Sequence, residues 1–172
     1  MELLIPGLLL VALMVWASTR IKKTAAAAFE AETVETDDFV IQKPDGFLNV
    51  INGDPKYAFE AYSKEYGGDG AEDFRRGKVN LTVRGSGTVG GVDAEFDSSH
   101  GEIIEDMTEV IGSIRYRLID VNRVEKGVEF RVTYKIGEKD GKICELEAVR
   151  LAETSDEFAR KIEVMVSSFE LK

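Results

Sequence analysis

A glycine-rich stretch is the first part of the sequence whose residue types could bind a ligand. Gly85-Ser86-Gly87-Thr88-Val89-Gly90 matches the G-x-G-x-x-G spacing of dinucleotide-binding loops. Such a loop needs a helix that starts at the third glycine and points its N-terminus at the pyrophosphate. The residues that follow, 91–96, instead alternate between apolar and polar as a strand does. This pattern favours a hairpin loop between antiparallel strands over a nucleotide site.

The other polar candidates lack the partners that chemistry would require. His100 is the only histidine, whereas a catalytic histidine needs a partner and a zinc site needs several ligands. Asp93, Glu95 and Asp97 share one strand face and could bind calcium. Calcium sites, however, usually come from a loop with ligands at fixed offsets. We therefore expect an exposed loop histidine and a solvated acidic face.

The single cysteine and a glycosylation-like motif add no chemistry. Cys144 alternates with Leu146 and Ala148, which predicts a buried and inert thiol, and one cysteine excludes an internal disulfide. Asn80-Leu81-Thr82 fits the N-glycosylation pattern but lies in the middle of a predicted strand. The sequence thus predicts a non-enzymatic protein with no catalytic residue, no metal site and no cofactor.

The N-terminal residues predict a membrane anchor. Leu3 to Thr19 carry no charge, Glu2 precedes them, and Arg20, Lys22 and Lys23 follow. A transmembrane helix needs roughly 17–25 mostly apolar residues, so this stretch is just long enough. A cleaved signal peptide is the alternative, but Glu2 stands where such a peptide carries positive charge. We expect a single-pass helix that is retained.

Four residues are expected at the membrane interface. Trp16 lies near the basic end of the helix, where aromatic residues are common, and Arg20, Lys22 and Lys23 would meet lipid phosphates of the bilayer. Basic flanks stay inside, so the N-terminus is expected outside the inner membrane and the C-terminal domain in the cytoplasm. The predicted divisions are 1–32 for the transmembrane anchor and juxtamembrane helix, 33–38 for a linker and 39–172 for an α+β domain.

Composition narrows the range of partners. The chain has 172 residues and a formal net charge of −10, and its basic N-terminal flank leaves the remainder still more acidic. Nucleic-acid binding requires a cationic surface, so no nucleic-acid partner is expected. After the linker there is room for one ordinary domain with its own core.

Hydrophobic periodicity predicts an antiparallel sheet with flanking helices. Alternating strands are expected at 39–42, 78–84, 113–121, 128–136 and 142–151, the last three joined as a meander by glycine turns. Helical spacing predicts helices at 55–66 and 102–111, and Asp54-Pro55 is suitable as the cap and first residue of the former. At 55–66 a strand with Tyr57, Phe59 and Ala61 on one face remains the alternative.

A closing helix is the clearest helical signal. Thr154 and Glu157 have capping-box spacing, which predicts that the helix begins there. An apolar stripe for packing on the sheet then follows. It consists of Phe158, Ile162, Met165, Val166 and Phe169.

The domain resembles the PsbP-like superfamily, which includes the extrinsic subunit of plant photosystem II and a Ran-binding import factor. Phe39-Val40-Ile41-Gln42-Lys43-Pro44-Asp45-Gly46-Phe47 is similar to the family's opening strand and turn. The meander 113–151 and the segment 157–171, with its terminal Ser168-Phe169, are similar to the later strands and the closing helix. The resemblance implies an α/β/α sandwich around an antiparallel sheet, and a domain that docks onto a larger assembly.

Two functions fit these features. The first is a single-pass accessory or assembly subunit of a larger membrane complex, with integral membrane protein subunits as partners. An energy-transducing complex, such as a photosynthetic reaction centre or a respiratory enzyme, is the specific expectation. The second is a membrane-tethered binding module for a soluble protein or small ligand.

Overall fold

The computed structural model describes residues 4–85 and 100–172 of the chain, and this part is mainly antiparallel β-sheet. The predicted glycine loop after Gly85 and the acidic face at Asp93, Glu95 and Asp97 lie outside the described residues. The described elements, in chain order, are α1 Leu4–Ala27, β1 Glu32–Glu35, β2 Phe39–Lys43, β3 Phe47–Asn49, β4 Phe59–Ser63, β5 Gly77–Gly85, β6 Glu102–Ile111, β7 Ile114–Glu125, β8 Val128–Lys139, β9 Lys142–Leu151, α2 Asp156–Ser168 and β10 Glu170–Leu171.

The described strands form two sheets. The larger has seven strands in the order β3-β4-β5-β9-β8-β7-β6, and the smaller has three in the order β1-β2-β10. Within each sheet, all neighbouring strands among the described residues pair antiparallel. Helix α2 and the smaller sheet share the layer on one face of the larger sheet, where β2, α2 and β10 contribute to a common hydrophobic core.

The predicted meander is confirmed, and its turns show why it forms. Lys126 and Gly127 join β7 to β8 with φ angles of 52° and 81°, and Asp140 and Gly141 join β8 to β9 with 50° and 72°. Two consecutive positive φ angles define the type I′ turn, whose twist matches that of the flanking strands. Glycine at the second position tolerates this conformation without strain.

Helix α2 packs on the larger sheet as its apolar stripe predicts. Ile162, Met165, Val166 and Phe169 are buried in the shared core, and Phe158 packs against its edge. The helix begins one residue later than predicted, because the cap is Ser155 rather than Thr154. The Ser155 hydroxyl accepts a hydrogen bond from the Phe158 N–H at 3.3 Å.

The segments 55–66 and 102–111, which were predicted to be helices, contain strands β4 and β6 instead. At 55–66 the alternative strand prediction is confirmed for Phe59 and Ala61, which are buried on β4, whereas Tyr57 precedes the strand. The Asp54-Pro55 pair starts a turn instead of a helix. The Tyr57 N–H donates to the Asp54 carbonyl at 3.0 Å, and the Lys56 N–H donates to the Asp54 carboxylate at 3.1 Å.

The predicted helix at 102–111 is strand β6, and a β-bulge contributes to the error. The pairing of β6 with β7 shifts register between Ile103 and Glu105, so that Ile104 is an extra residue in the strand. An inserted residue breaks the two-residue alternation of a strand. Beyond the bulge the strand carries apolar residues on both faces, since Met107 lines a groove beside α2 and Val110 lies at the opposite alternation, and together these residues recur at a spacing that imitates a helix.

The predicted transmembrane helix is wrong. In the part of the chain that the structure describes, no helix is both long and apolar enough to cross a membrane. The mostly apolar part of α1 ends at Ala17, before Ser18, Thr19 and Arg20. About 14 helical residues reach roughly 21 Å, against a hydrocarbon core about 30 Å thick. The single-pass topology, the inner-membrane location and the cytoplasmic placement of the domain lose their basis with this helix.

The expected α+β fold with an anchor and an α/β/α sandwich also needs correction. In the described residues, α2 is the helix packed on the larger sheet, and the smaller sheet shares its layer. Within the stretch expected to include a linker, 33–38, strand β1 pairs with β2, and Val34 packs against the core. The division of the chain into segments 1–32, 33–38 and 39–172 stays a prediction.

Candidate binding groove

A groove runs between α2 and the outer strands of the larger sheet. Its volume is about 340 Å³, and it is open to solvent along one side. Strand alternation places every second residue of β6, β7 and β8 on this face, and α2 supplies the opposite wall. The lining residues are Glu105, Met107, Glu109, Leu118, Asp120, Arg131, Thr133, Arg150, Ile162, Glu163, Val166 and Ser167.

The groove has an apolar centre. Met107 on β6 and Leu118 on β7 are cross-strand partners, and they face Ile162 and Val166 of α2. Met107 remains 44% exposed, whereas Ile162 is only 3% exposed because it also packs into the core. The centre therefore offers unoccupied apolar surface that a single side chain of a partner could cover.

Lys135 fixes the end of α2 against the sheet. This lysine is 1% exposed, and its ammonium lies 3.0 Å from the Glu109 carboxylate and donates to the Val166 carbonyl at 3.2 Å. It also lies 4.7 Å from the centre of the Tyr116 ring. A cation near the last carbonyls of a helix interacts favourably with the helix dipole. Lys135 thus links β8 to β6 and to the end of α2, and its ammonium neutralises the charge of Glu109.

Two arginines face each other at the far end of the groove. Arg131 on β8 and Arg150 on β9 are cross-strand partners, and Arg150 donates to the Thr154 hydroxyl at 3.3 Å. Burial, and then the like charge of Arg131, lower the pKa of Arg150, while Glu163 and Asp120 oppose that shift. The negative charges of Glu163 and Asp120 thus partly offset the repulsion between the two guanidinium groups.

The rim of the groove is acidic. Glu105 and Glu163 are exposed on opposite walls, and neither has a salt bridge among the described residues. Asp120 lies deeper and accepts a hydrogen bond from the Thr133 hydroxyl at 2.5 Å. This combination of acidic rim and apolar centre suits a basic peptide segment that carries an apolar side chain.

The candidate residues for chemistry remain apart from the groove. Cys144 is buried, as predicted, and burial raises the pKa of its thiol to about 11, so that it stays protonated at neutral pH. His100 is exposed, as predicted, and its ring meets the Tyr134 ring edge-on at 5.9 Å. Among the described residues, no three metal-ligating side chains come together.

The four predicted interface residues lie on α1. Trp16 is 61% exposed, and the Arg20 guanidinium lies 5.3 Å from the centre of its ring. Lys22 and Lys23 follow on the last turns of the helix. A contact of these four residues with lipid stays a prediction.

Sequence analysis missed the polar residues that line or support the groove. Arg131, Thr133 and Lys135 alternate with the buried face of β8, and alternation alone assigns them to solvent. One signal was available, because β8 is the middle strand of the predicted meander, where a helix could cover the second face.

Comparisons with known proteins find likeness in structure alone. No protein-family model matches the sequence, and no curated protein matches it. Cyanobacterial PsbP (CyanoP) from Synechocystis sp. PCC 6803 has a similar solved structure, with a TM-score of 0.56 and 14% identity over 83% of this chain and 92% of that one.

Two further solved structures are similar at low identity. LpqN of Mycobacterium tuberculosis, involved in cell envelope biogenesis, has a TM-score of 0.55 and 9% identity over 83% of this chain and 91% of its own. The Saccharomyces cerevisiae Ran-binding protein Mog1p has a TM-score of 0.51 and 10% identity over 83% of this chain and 96% of its own. Together with the meander and the closing helix, these likenesses show that the chain has a PsbP-like fold.

Proposed function

We propose that this chain is a non-enzymatic accessory module that binds a larger protein assembly through the groove beside α2. The observation that carries the proposal is the exposed apolar centre of the groove, Met107 with Leu118, between the acidic residues Glu105 and Glu163. A partner segment with one apolar side chain and flanking lysines or arginines would cover the centre and pair with the rim. Apolar contact would supply affinity, and charge would supply orientation and rate.

The fold supports a binding role by analogy. Mog1p is a Ran-binding protein, so a domain of this architecture is used elsewhere to bind another protein. Fold likeness at this level of identity carries no function by itself. The proposal therefore rests on the groove, and Mog1p serves as an example of a similar fold that binds a protein.

The partner class that we propose is an integral membrane protein of a larger complex, with energy-transducing complexes as the specific candidates. A segment of such a protein that is rich in lysine and arginine would pair with the acidic rim of the groove. The net charge of −10 would strengthen the encounter at low salt.

Co-purification with matched variants tests the proposal. The tagged full-length chain is purified from its source cells in mild detergent at low salt, and proteins present in stoichiometric amounts are identified. The experiment is repeated with Met107→Asp, which places a charge in the groove centre. Val164→Asp is the control, because Val164 lies on α2 outside the groove lining and its exposure of 41% matches the 44% of Met107.

We expect the original chain and Val164→Asp to retain the partner and Met107→Asp to lose it. Binding should also weaken as salt rises and the screening length falls below about 10 Å. Loss of the partner from both variants alike, or a chain that purifies alone at low salt, would show that the groove is not the docking site.

A further inference from the structure

A second cavity lies on the face of the larger sheet that points away from α2. Its volume is about 610 Å³. The alternation of β5 separates the two faces, because Val79 and Leu81 pack in the core under α2 while Asn80 points to the opposite side. The cavity is lined by Asp73, Phe74, Arg75, Lys78, Asn80, Arg123, Val124, Glu125, Phe130, Glu147 and Val149.

Asn80 is a buried acceptor that has no partner. Its side chain lines the cavity, the residue is 4% exposed, and its Oδ1 has no hydrogen-bond partner in the part of the chain that the structure describes. A buried carbonyl oxygen without a donor costs free energy that an apolar residue of the same shape would not. This oxygen is therefore able to accept a hydrogen bond from a molecule outside the chain.

Arg123 supplies a donor without a partner beside it. Its Nη1 donates to Glu147 Oε1 at 3.2 Å, while its Nε is buried and has no partner among the described residues. Glu147 is the cross-strand partner of Asn80 and also accepts from the Tyr134 hydroxyl at 3.1 Å. The carboxylate thereby anchors the guanidinium next to Asn80.

The other cations of the cavity are already engaged. Arg75 donates to the carbonyls of Ser63 and Lys64 at 3.1 and 2.9 Å, and its guanidinium lies 4.0 Å from the centre of the Tyr66 ring. Lys78 pairs with Glu60 at 3.0 Å. The lining also includes the carboxylates of Asp73 and Glu125, but its buried side-chain atoms without a hydrogen-bond partner are one acceptor, on Asn80, and one donor, on Arg123.

The apolar walls restrict the shape of a ligand. Phe74 and Phe130 meet edge to face with ring centres 5.2 Å apart, and Val149 lies beside them on β9. Aromatic and branched side chains arranged around a slot suit a flat ring more than a flexible chain.

We propose that this cavity binds a small, neutral, flat molecule through a cyclic amide edge. The ring N–H would donate to Asn80 Oδ1, and the adjacent carbonyl would accept from Arg123 Nε, with a rotation of the two side chains toward the cavity. The ring would lie against Phe74, Phe130 and Val149. The site is separate from the groove beside α2 and does not depend on the function proposed for it.

The two unpaired buried atoms favour a neutral ligand over a charged one. A carboxylate has no donor for Asn80 and would face the negative charge of Glu147. An ammonium has no acceptor for Arg123. A neutral group that carries a donor and an acceptor side by side satisfies both orphan atoms at once.

Binding can be tested with minimal probes on the full chain. 2-Pyridone and uracil carry the cyclic amide edge, whereas N-methyl-2-pyridone and 1,3-dimethyluracil have the same rings without the N–H. At tenfold excess over Kd, a probe should raise Tm by about 3–6 °C in a saturable manner. The methylated compounds should produce no comparable shift. Absence of a saturable shift with both probes, or equal shifts with the methylated compounds, would overturn the proposal.

Variants identify the residues involved. Asn80→Leu should raise the Tm of the free protein, because it removes an unpaired polar atom, and should abolish the probe shift. Thr82→Val is the matched control, since Thr82 lies two residues along the same face of β5 and outside the cavity lining, and it should keep the shift. Arg123→Lys keeps the charge but loses the Nε donor, and should weaken probe binding at least tenfold. Retention of full binding by Asn80→Leu or Arg123→Lys would refute the assignment.

Discussion

Truncation of Ile162 tests how firmly α2 is held on the sheet. Ile162 is 3% exposed, and a Cβ placed at Gly77 of β5 would lie 3.0 Å from its Cδ1. The side chain therefore fills the space directly above the sheet at a position where β5 has no side chain. Ile162→Ala would remove most of this contact.

The expected cost follows from the surroundings of the side chain. Removal of a buried isoleucine side chain costs about 2–5 kcal/mol, and the upper part of this range applies where an enclosed cavity remains. Ile162 also lines the groove, which is open to solvent. The space left by the alanine would merge with the groove, so the cost should be about 2–3 kcal/mol. For a chain of this size, that corresponds to a fall in Tm of roughly 4–12 °C.

Thermal and urea unfolding of the full chain provide the assay. Val164→Ala is the matched control, because Val164 is 41% exposed on the same helix and its truncation should change stability by about 0.5 kcal/mol or less. If Ile162→Ala unfolds at the same urea concentration as Val164→Ala, with the same slope, the reasoning that α2 is locked by its buried stripe is wrong.

Three further predictions concern the core. Gly77→Ala would put a Cβ 2.9 Å from Phe158 Cζ. The free energy of unfolding in urea should therefore fall by about 1–3 kcal/mol. An unchanged free energy of unfolding would mean that α2 is free to shift. The pKa of the Cys144 thiol is about 11 in the folded chain. Cys144 should therefore react with Ellman's reagent at pH 8 on the order of 200-fold more slowly in the folded chain than in denaturant. Equal rates would contradict the burial of this thiol. Tyr116→Phe removes the acceptor for the Leu171 N–H at 2.8 Å and should cost about 1–3 kcal/mol, whereas an unchanged Tm would mean that water replaces it.

Local chemistry allowed the meander and the closing helix to be predicted. The turns at Gly127 and Gly141 and the alternation of β8 act within a few residues, and they left little choice of register. The stripe on α2 has the period of a helix and the caps of a helix, so that sequence and tertiary structure agree.

The errors arose where a local signal had two physical interpretations. Asp54-Pro55 is as suitable for a turn as for a helix start, and the strand partner that decides between them is β5, about 20 residues away. The bulge at Ile104 becomes visible only through its pairing with β7. The uncharged N-terminal segment 3–19 is just long enough for a transmembrane helix. Its last residues, Ser18 and Thr19, are polar, however, and the apolar part that ends at Ala17 is too short to cross a membrane.

Both candidate sites were missed for one physical reason. Alternation assigns one face of a strand to the core and the other to water, which holds where a sheet is covered on one side. The alternating positions of β5, β8 and β9 contribute to two separate buried clusters, and Asn80 and Lys135 lie at polar positions of β5 and β8 with exposures of 4% and 1%. Lys135 found its partners in Glu109 and the end of α2, so it supports the fold. Asn80 Oδ1 found none among the described residues. A buried polar residue on a strand whose face is covered is thus a position where either the fold or a ligand must provide a hydrogen bond, and this difference separates the scaffold of the groove from the proposed cyclic amide site.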